Sequence, residues 1–572
     1  MTGFKRKIAK TLAKLILVLI LVTVVFVMLA FFWVGAILGD LRLFIPEFKN
    51  LIGFPEGQKT YLIIFQNNNE IRPAGGFITA YGLLKFDKGI LQDIEINDVY
   101  VNTDGHEYIT PPYPLNEFLN KNGRKISFSF RDANFYPNFP DSARSLEKMF
   151  LLTHEDVTLD GIFAVNYTFI EDLLESIGPV EVDGLSLDNH SLFSEIEYTV
   201  NNIDKHNITD LKNRKNILKD FANELIEKLK AHPGLIKNLV DVTQESLRKK
   251  DIQLYFKDEK LENIALSKGW GGQWPTSTNI DFLALNEANL GGFKSDRYMK
   301  RDVTYHLKIT KEDNSSEFKL LSNITAKISH YGLDNIPISG DYEGYFRVYV
   351  PKGSHFVRNK SETTSFRESD RGFFHVFEAM MKLKPGEEKE ISYTYELPST
   401  LIKENKYSLY IPKQSGTEND FYTVVIELPQ GYSVTSDSFE SRENLAIYKG
   451  TLDKDIYFNL EFNSDKTAPY IIYQNIDNLN QVTVGFSEKI SASSISFSNF
   501  KIVDTDEKIV SAKDSPKITA ISGDGKNLQL AIEGMTFQSE ERYSLIVSDI
   551  KDMDGNIISP NPRTVTLVQR VK

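Results

Sequence analysis

The sequence predicts a multidomain chain: an N-terminal transmembrane helix, an α/β sandwich of three layers, and then all-β sandwich domains. Three observations lead there. The 572 residues exceed what one hydrophobic core organises. An uncharged run of 24 residues, Leu15–Leu38, stands near the start. After it, strands alternate with helices as far as Arg301, and beyond that point the pattern is strand only.

As an α-helix, Leu15–Leu38 would be about 36 Å long, enough to cross a hydrocarbon core of about 30 Å. Lys5, Arg6, Lys7, Lys10 and Lys14 precede it without an acid. Such a basic flank stays in the cytoplasm, which predicts a single-pass protein of the bacterial cytoplasmic membrane with its N-terminus inside and its bulk outside. A cleaved signal peptide ending at Ala36 is the rival reading, but the apolar region of a signal peptide usually spans about 7–15 residues. Residues 1–40 are thus flank and anchor, and 41–60 a stem. The net charge of −12 becomes −17 once the five basic residues of the flank are set aside. That excludes a general nucleic-acid binder, which needs a basic surface. The absence of cysteine excludes thiol catalysis and, in an extracytoplasmic protein of this size, points to a bacterial surface.

Within 61–301, "YLIIF" reads as a short buried strand. "FITAYGLLKF" and "ILQDIEI" are two strands joined through Asp87-Lys88-Gly89, a hairpin-type turn. "PDSARSLEKMFLL" starts a helix at Pro140 or Asp141. "GIFAVNY" is a strand, "TFIEDLLESIG" a helix stopped by Gly178, and "DLKNRKNILKDFANELIEKLK" a long amphipathic helix. From 302 to 464, segments such as "DVTYHLKI", "GYFRVYVP" and "FYTVVIELP" alternate at period two, the signature of one or two β-sandwiches. Asp465-Lys466-Thr467-Ala468-Pro469 is a linker, and 465–572 holds a last β domain.

One stretch joins unusual chemistry to unusual backbone: "QNNNEIRPAGGFITAYG" sets Arg72 against Gly75 and Gly76 at a strand entrance. A planar guanidinium holds two phosphate oxygens at once, and neighbouring glycines let them approach the backbone. The bland alternative is that Arg72 pins its own loop through Glu70 or a backbone carbonyl. Asp93, Glu95 and Asp98 alternate along a strand, as a solvated face does. Arg144 and Arg214 sit on helices, where salt bridges are the ordinary use. Asp98 and Asp132 are candidate metal ligands. Trp270 and Trp274 in "KGWGGQWP" form either a sugar-stacking platform or a core closure. Asp552, Asp554 and Asn556 fail the spacing of a helix–loop–helix calcium site and read as a turn. No His-Glu-x-x-His, Gly-x-Ser-x-Gly, phosphate-binding loop or dinucleotide fingerprint occurs.

Four phrases, "QNNNEIRPAGGFITAYG", "RDANFYPNFPDSA", "DGIFAVNYTFIEDLLESIGPVEV" and "ALNEANLGGFKSDRYMKRDV", resemble in order a bacterial family known as domain of unknown function 4012, over about residues 61–305. "LDGIFAVNYTFIEDLLESIGPVEVDG" is more distantly similar to the LytR–CpsA–Psr proteins, which move a glycan phosphate from a polyprenyl-pyrophosphate lipid onto the cell wall. That resemblance implies Arg72, Arg131 and Arg214 as catalytic arginines around a pyrophosphate, with Gly75, Gly76, Asn97 and Arg144 contacting ligand. It also implies Mg²⁺ held by Asp98 or Asp132. Asn97-Asp98 stand where that family has an arginine-aspartate turn, and Arg131-Asp132 are the replacement in reach. Phosphoryl transfer asks mainly for positioning and charge neutralisation, which such a set supplies. The phrases "VTVGFSEKISASSISFSNF" and "YSLIVSDIKDMDGN" resemble the bacterial immunoglobulin-like domains of SbsA-type S-layer proteins, which serve as spacers.

Two functions follow. One is an envelope protein that binds or transfers glycan phosphate from a polyprenyl-linked lipid, with the bilayer and a wall polymer as partners. The other is a non-catalytic surface, structural or adhesion protein with immunoglobulin-like spacers. Convergence of Arg72, Asp98, Arg131 and Arg214 on one pocket separates the first from the second.

Overall fold

Strand β1, Gln58–Arg72, sets the first lobe. Its side chains alternate between faces, Tyr61 and Ile63 to one core and Leu62 and Ile64 to the other. Both faces are covered there, so Tyr61–Phe65 is an unbroken apolar run rather than an alternating one. The computed structural model describes residues 38–99, 107–118, 120, 125–182, 185–191, 224–225, 227–277, 279–311, 317–333, 339–429, 431–442, 444–512, 515–538 and 541–567. The expected membrane span therefore lies outside the described residues, except for Leu38. Among those described, no helix is long and apolar enough to cross a membrane. The amphipathic helix expected at 210–230 likewise lies mostly outside them.

Strands β2 (Gly75–Asp87) and β3 (Ile90–Asp98) extend the sheet on one side of β1. β4 (Gly161–Asn166) runs parallel to β1 on the other side. A small hairpin, β5 and β6 (Val180–Val182, Leu185–Leu187), precedes β7 (Ile252–Phe256), which pairs antiparallel with β4. The β2–β3 turn passes through Lys88 and Gly89 at φ 52° and 82°, the two positive values that a two-residue hairpin asks for. Helix α1 (Phe139–Leu151) covers one face of the sheet. Helices α2 (Tyr167–Ile177), α3 (Leu235–Arg248) and α4 (Glu259–Ser267) cover the other, which makes three layers. Asp258 caps α4 by accepting from the backbone of Lys260 and Leu261 at 3.0 and 3.1 Å. The stem is part of this core: Phe44 stacks on Trp270 with ring centroids 5.9 Å apart.

The β lobe begins earlier than its pattern indicates. β8 (Asp281–Phe282) and β9 (Ala284–Asn289) already belong to its sheets, about twenty residues before the expected boundary at 302. β9 runs beside β12 (Tyr342–Pro351), in a four-stranded sheet with β14 (Arg367–Arg371) and β15 (Phe374–Leu383). A seven-stranded sheet faces it, built around β10 (Met299–Lys311), β11 (Phe318–His330), β13 (His355–Asn359), β16 (Glu388–Leu397) and the strand Phe421–Glu427. On β12, Phe346, Val348 and Val350 enter the sandwich core, whereas Tyr345 joins Met380 and Ala288 in the α/β core. Because one strand serves two cores, the lobes are packed as one body. The last domain differs: two small sheets between Ile471 and Leu567 enclose a core of their own.

Candidate functional site

The Arg72 segment is a strand end rather than a loop. β1 continues through the three asparagines to Arg72, turns over Pro73-Ala74, and pairs Arg72 with Gly75. Arg72 is 5 % exposed. Its guanidinium donates to the Asn289 carbonyl at 2.6 Å, the Ile71 carbonyl at 3.1 Å and Glu70 Oε1 at 2.9 Å, and lies over the Phe77 ring. The arginine is thus tied both to Glu70, as the bland reading has it, and to the β lobe, which the sequence did not suggest.

The glycines serve packing of protein on protein. A Cβ on Gly75, which has φ 137°, would come within 2.1 Å of Gln66 Oε1. One on Gly76 would come within 2.1 Å of the Asn67 backbone. From the β lobe, Gln414 donates to the Arg72 carbonyl at 3.1 Å and exchanges bonds of 2.8 Å with the Glu287 backbone in both directions. Asn286 donates to the Pro73 carbonyl at 3.0 Å. The space expected for phosphate oxygens holds Gln66, Asn67 and Gly416.

The other predicted residues divide. The loop carrying Arg131 does meet the hairpin, since Asn134 donates to the Gly76 carbonyl at 2.7 Å. Arg131 faces its own neighbour, with Nε 3.7 Å from Asp132 Oδ2. Arg144 is exposed and paired with Asp141 one helical turn away. Asn97 and Asp98 stand in β3 opposite Tyr81 and Ala80, and the side chain of Asp98 lies outside those described. Arg214 lies outside the described residues altogether. Among the described residues no group of three or more His, Asp or Glu side chains could hold a metal ion. Trp270 and Trp274 are both buried and close cores. Asp552 closes its own turn by accepting from the backbone of Asp554 and Asn556 at 2.8 Å.

Beside the hairpin lies a buried ionic cluster. Arg301 pairs with Glu287, and with Asp296 and Asp420 at 3.4 Å each. Asp296 also accepts from Ile71 N at 3.0 Å and from Asn289 at 2.8 Å. One guanidinium cannot balance three buried carboxylates, so protons are held more tightly there. Burial first, and then the neighbouring Glu287, push Asp296 up to about 7.

On the other side of the segment 413–420 opens a polar cleft of about 320 Å³, bounded by α2, the start of β7 and the ends of the sandwich strands. Thr168 and Glu171 enter it from the first turns of α2, Asp251 from the α3–β7 turn, and Lys413, Thr417 and Glu418 from the β lobe. Thr168 Oγ1 donates to Glu418 Oε1 at 2.6 Å, and Asn68 donates to Thr168 Oγ1 at 2.8 Å. Arg297 pairs with Glu171 at 2.9 Å. Asp251, 2 % exposed, is pushed up to about 6 chiefly by burial, against the pull of the Lys413 ammonium. Burial also raises Glu171 and Asp172, and Glu418 adds to the shift of both and of Asp251. Sequence reading missed this site because its walls come from distant segments, Thr168 and Glu418 being 250 residues apart and Asp453 farther still. The only local signal was the run of polar residues in "PKQSGTEND".

Residues 56–200, about a quarter of the chain, match the family described as protein of unknown function DUF4012. No curated protein matches the chain. Among solved structures, the chain is similar to the N-terminal part of the bacterial S-layer protein SbsC at 16% identity and a TM-score of 0.15. That likeness covers 18% of this chain and 24% of the other. It is also similar to a putative nutrient binding protein from Legionella pneumophila subsp. pneumophila, at 7% identity over 32% and 71% of the two chains, with a TM-score of 0.24. A third likeness is to the transcriptional regulator yvhJ from Bacillus subtilis, at 10% identity over 37% and 77%, with a TM-score of 0.20.

Proposed function

We propose that the chain is a membrane-anchored, extracytoplasmic bacterial envelope protein whose two-lobed head binds a wall or surface polymer without acting on it. The anchor and its orientation rest on the basic flank and the uncharged run at the N-terminus. The immunoglobulin-like domain is read as a spacer, on the resemblance to SbsA-type domains. The observation that favours binding over phosphoryl transfer is the position of Arg72: it is buried, with Nη1 on the Asn289 and Ile71 carbonyls and Nη2 on Glu70, so its guanidinium is committed to the junction rather than open to a pyrophosphate. The transfer reading, with Arg131, Arg214 and a Mg²⁺ held by Asp98 or Asp132, is the second choice.

The test uses the full chain in membrane discs with a polyprenyl-pyrophosphate glycan, Mg²⁺ and isolated wall sacculi. Retention on sacculi with no product formed is the expected result. Turnover that requires Mg²⁺ and disappears in a folded Arg72→Lys variant would overturn it in favour of transfer. Protease added to intact protoplasts should remove the chain beyond Asp40, and protection of the bulk would overturn the topology.

A further inference from the structure

The charges lining the polar cleft do not cancel. Glu171 is matched by Arg297 at 2.9 Å, Asp172 by Lys249 at 3.8 Å and Asp453 by Arg248 at 2.9 Å. That leaves Asp251, Glu175 and Glu418 against one buried ammonium, Lys413. Among the described residues, the Lys413 ammonium donates to the Gln414 carbonyl alone, at 3.1 Å. Asp251 takes the Asn166 amide on one oxygen at 3.3 Å and, among the described residues, has no hydrogen-bond partner on the other. A carboxylate nine-tenths buried with half of its acceptor capacity unused is costly unless something enters the cleft to use it.

We propose that this cleft binds an ammonium-bearing polyol, of the class of an amino sugar with a free amine, with the ligand's ammonium between Asp251 and Glu418. The excess of carboxylates demands a cation. The Lys413 ammonium beside them would repel a bare metal ion, whereas a hydroxyl on the same ligand can accept from it. The volume of about 320 Å³ suits one sugar ring with its substituents. Among the described residues no Phe, Tyr or Trp lines the cleft, so recognition is chiefly electrostatic, hence weakened by salt. The inference rests on the reading of the head as a polymer binder and names the group recognised.

Glucosamine, glucose and N-acetylglucosamine, which share a ring but not an ammonium, are titrated calorimetrically into the full chain in membrane discs. Glucosamine should bind at least about tenfold tighter than the other two, the scale of one charge-assisted hydrogen bond. Asp251→Asn and Glu418→Gln should each remove roughly that factor. Glu418 is exposed, so its variant folds whatever the cleft does. Equal affinity for the three sugars, no binding of any, or an unchanged glucosamine affinity in Glu418→Gln each overturns the proposal. If glucosamine does not bind while sacculi are still retained, only this inference falls. If sacculi are not retained, the polymer-binding reading falls.

Discussion

The segment Lys413–Asp420 touches the α/β lobe on two sides, and the two contacts are built in opposite ways. Towards the hairpin, Gln414 and Gly416 meet Arg72, Gly75 and Asn68 in a contact where each of these residues is buried. Towards α2, Lys413, Thr417 and Glu418 face an open cleft with acceptors unused. The difference teaches where a ligand can act. Arginine next to paired glycines is chemically suited to phosphate, yet the same qualities suit a close junction, because glycine lets backbones meet and guanidinium caps stray carbonyls. Residue type alone does not separate these uses; the unfilled hydrogen-bonding capacity does.

The comparison breaks most readily at the glycines. Gly76→Val should prevent folding of the head, since even a Cβ overlaps the Asn67 backbone and no flexible side chain is there to yield. A cooperative melt near the parent's midpoint would show that the hairpin is not a packed junction. Arg72→Ala comes next, at about 3 kcal/mol or more by denaturant titration, as for a buried ion pair that loses one member. Gln414→Ala should cost about 2–3 kcal/mol, since it strands the Arg72 carbonyl and both polar groups of Glu287.

A pH series sharpens the buried side further. Asp296 rises from an ordinary 3.8 to about 7 on folding. The folded state therefore holds a proton that the unfolded state has released, and stability falls as pH climbs from about 4 to 7, levelling beyond. Denaturant midpoints measured across that range should fall less steeply in Asp296→Asn than in the parent. Parallel curves would remove Asp296 from the account. The smallest effect belongs to the wet side: Glu418→Gln should shift stability by less than about 1 kcal/mol, as exposed charges do. A larger loss would mean that the cleft is as structural as the hairpin.

How far these features were legible depends on the range of the interactions that fix them. β2, β3, their Lys88-Gly89 turn, α1, β4 and α2 follow from local periodicity and turn chemistry, and the sequence read them in order. β1 was cut short at Phe65 because three asparagines and an arginine look like loop. They are strand because Asn68 is buried in the junction and donates to Thr168 and the Gly416 carbonyl. β8 and β9 were placed in the wrong lobe for a similar reason: "ALNEAN" carries polar groups whose partners are distant in sequence, Arg347 and Gln414 from the β lobe among them. The cleft was invisible because none of its walls is a motif.

The Gln414 bond to the Arg72 carbonyl and the Asn68 bond to the Gly416 carbonyl join points 342 and 348 residues apart. In mechanical terms they form a clasp. Tension applied between Leu38 and Ile471 runs along the chain to Arg72, crosses to Gln414, and leaves by the last domain, bypassing everything between. The bypassed chain would span roughly 1,100 Å if drawn out, at about 3.3 Å per residue. It is hidden length, closed to stretching until this clasp, the other bonds of the segment to the α/β lobe and the glycines packed beneath them give way.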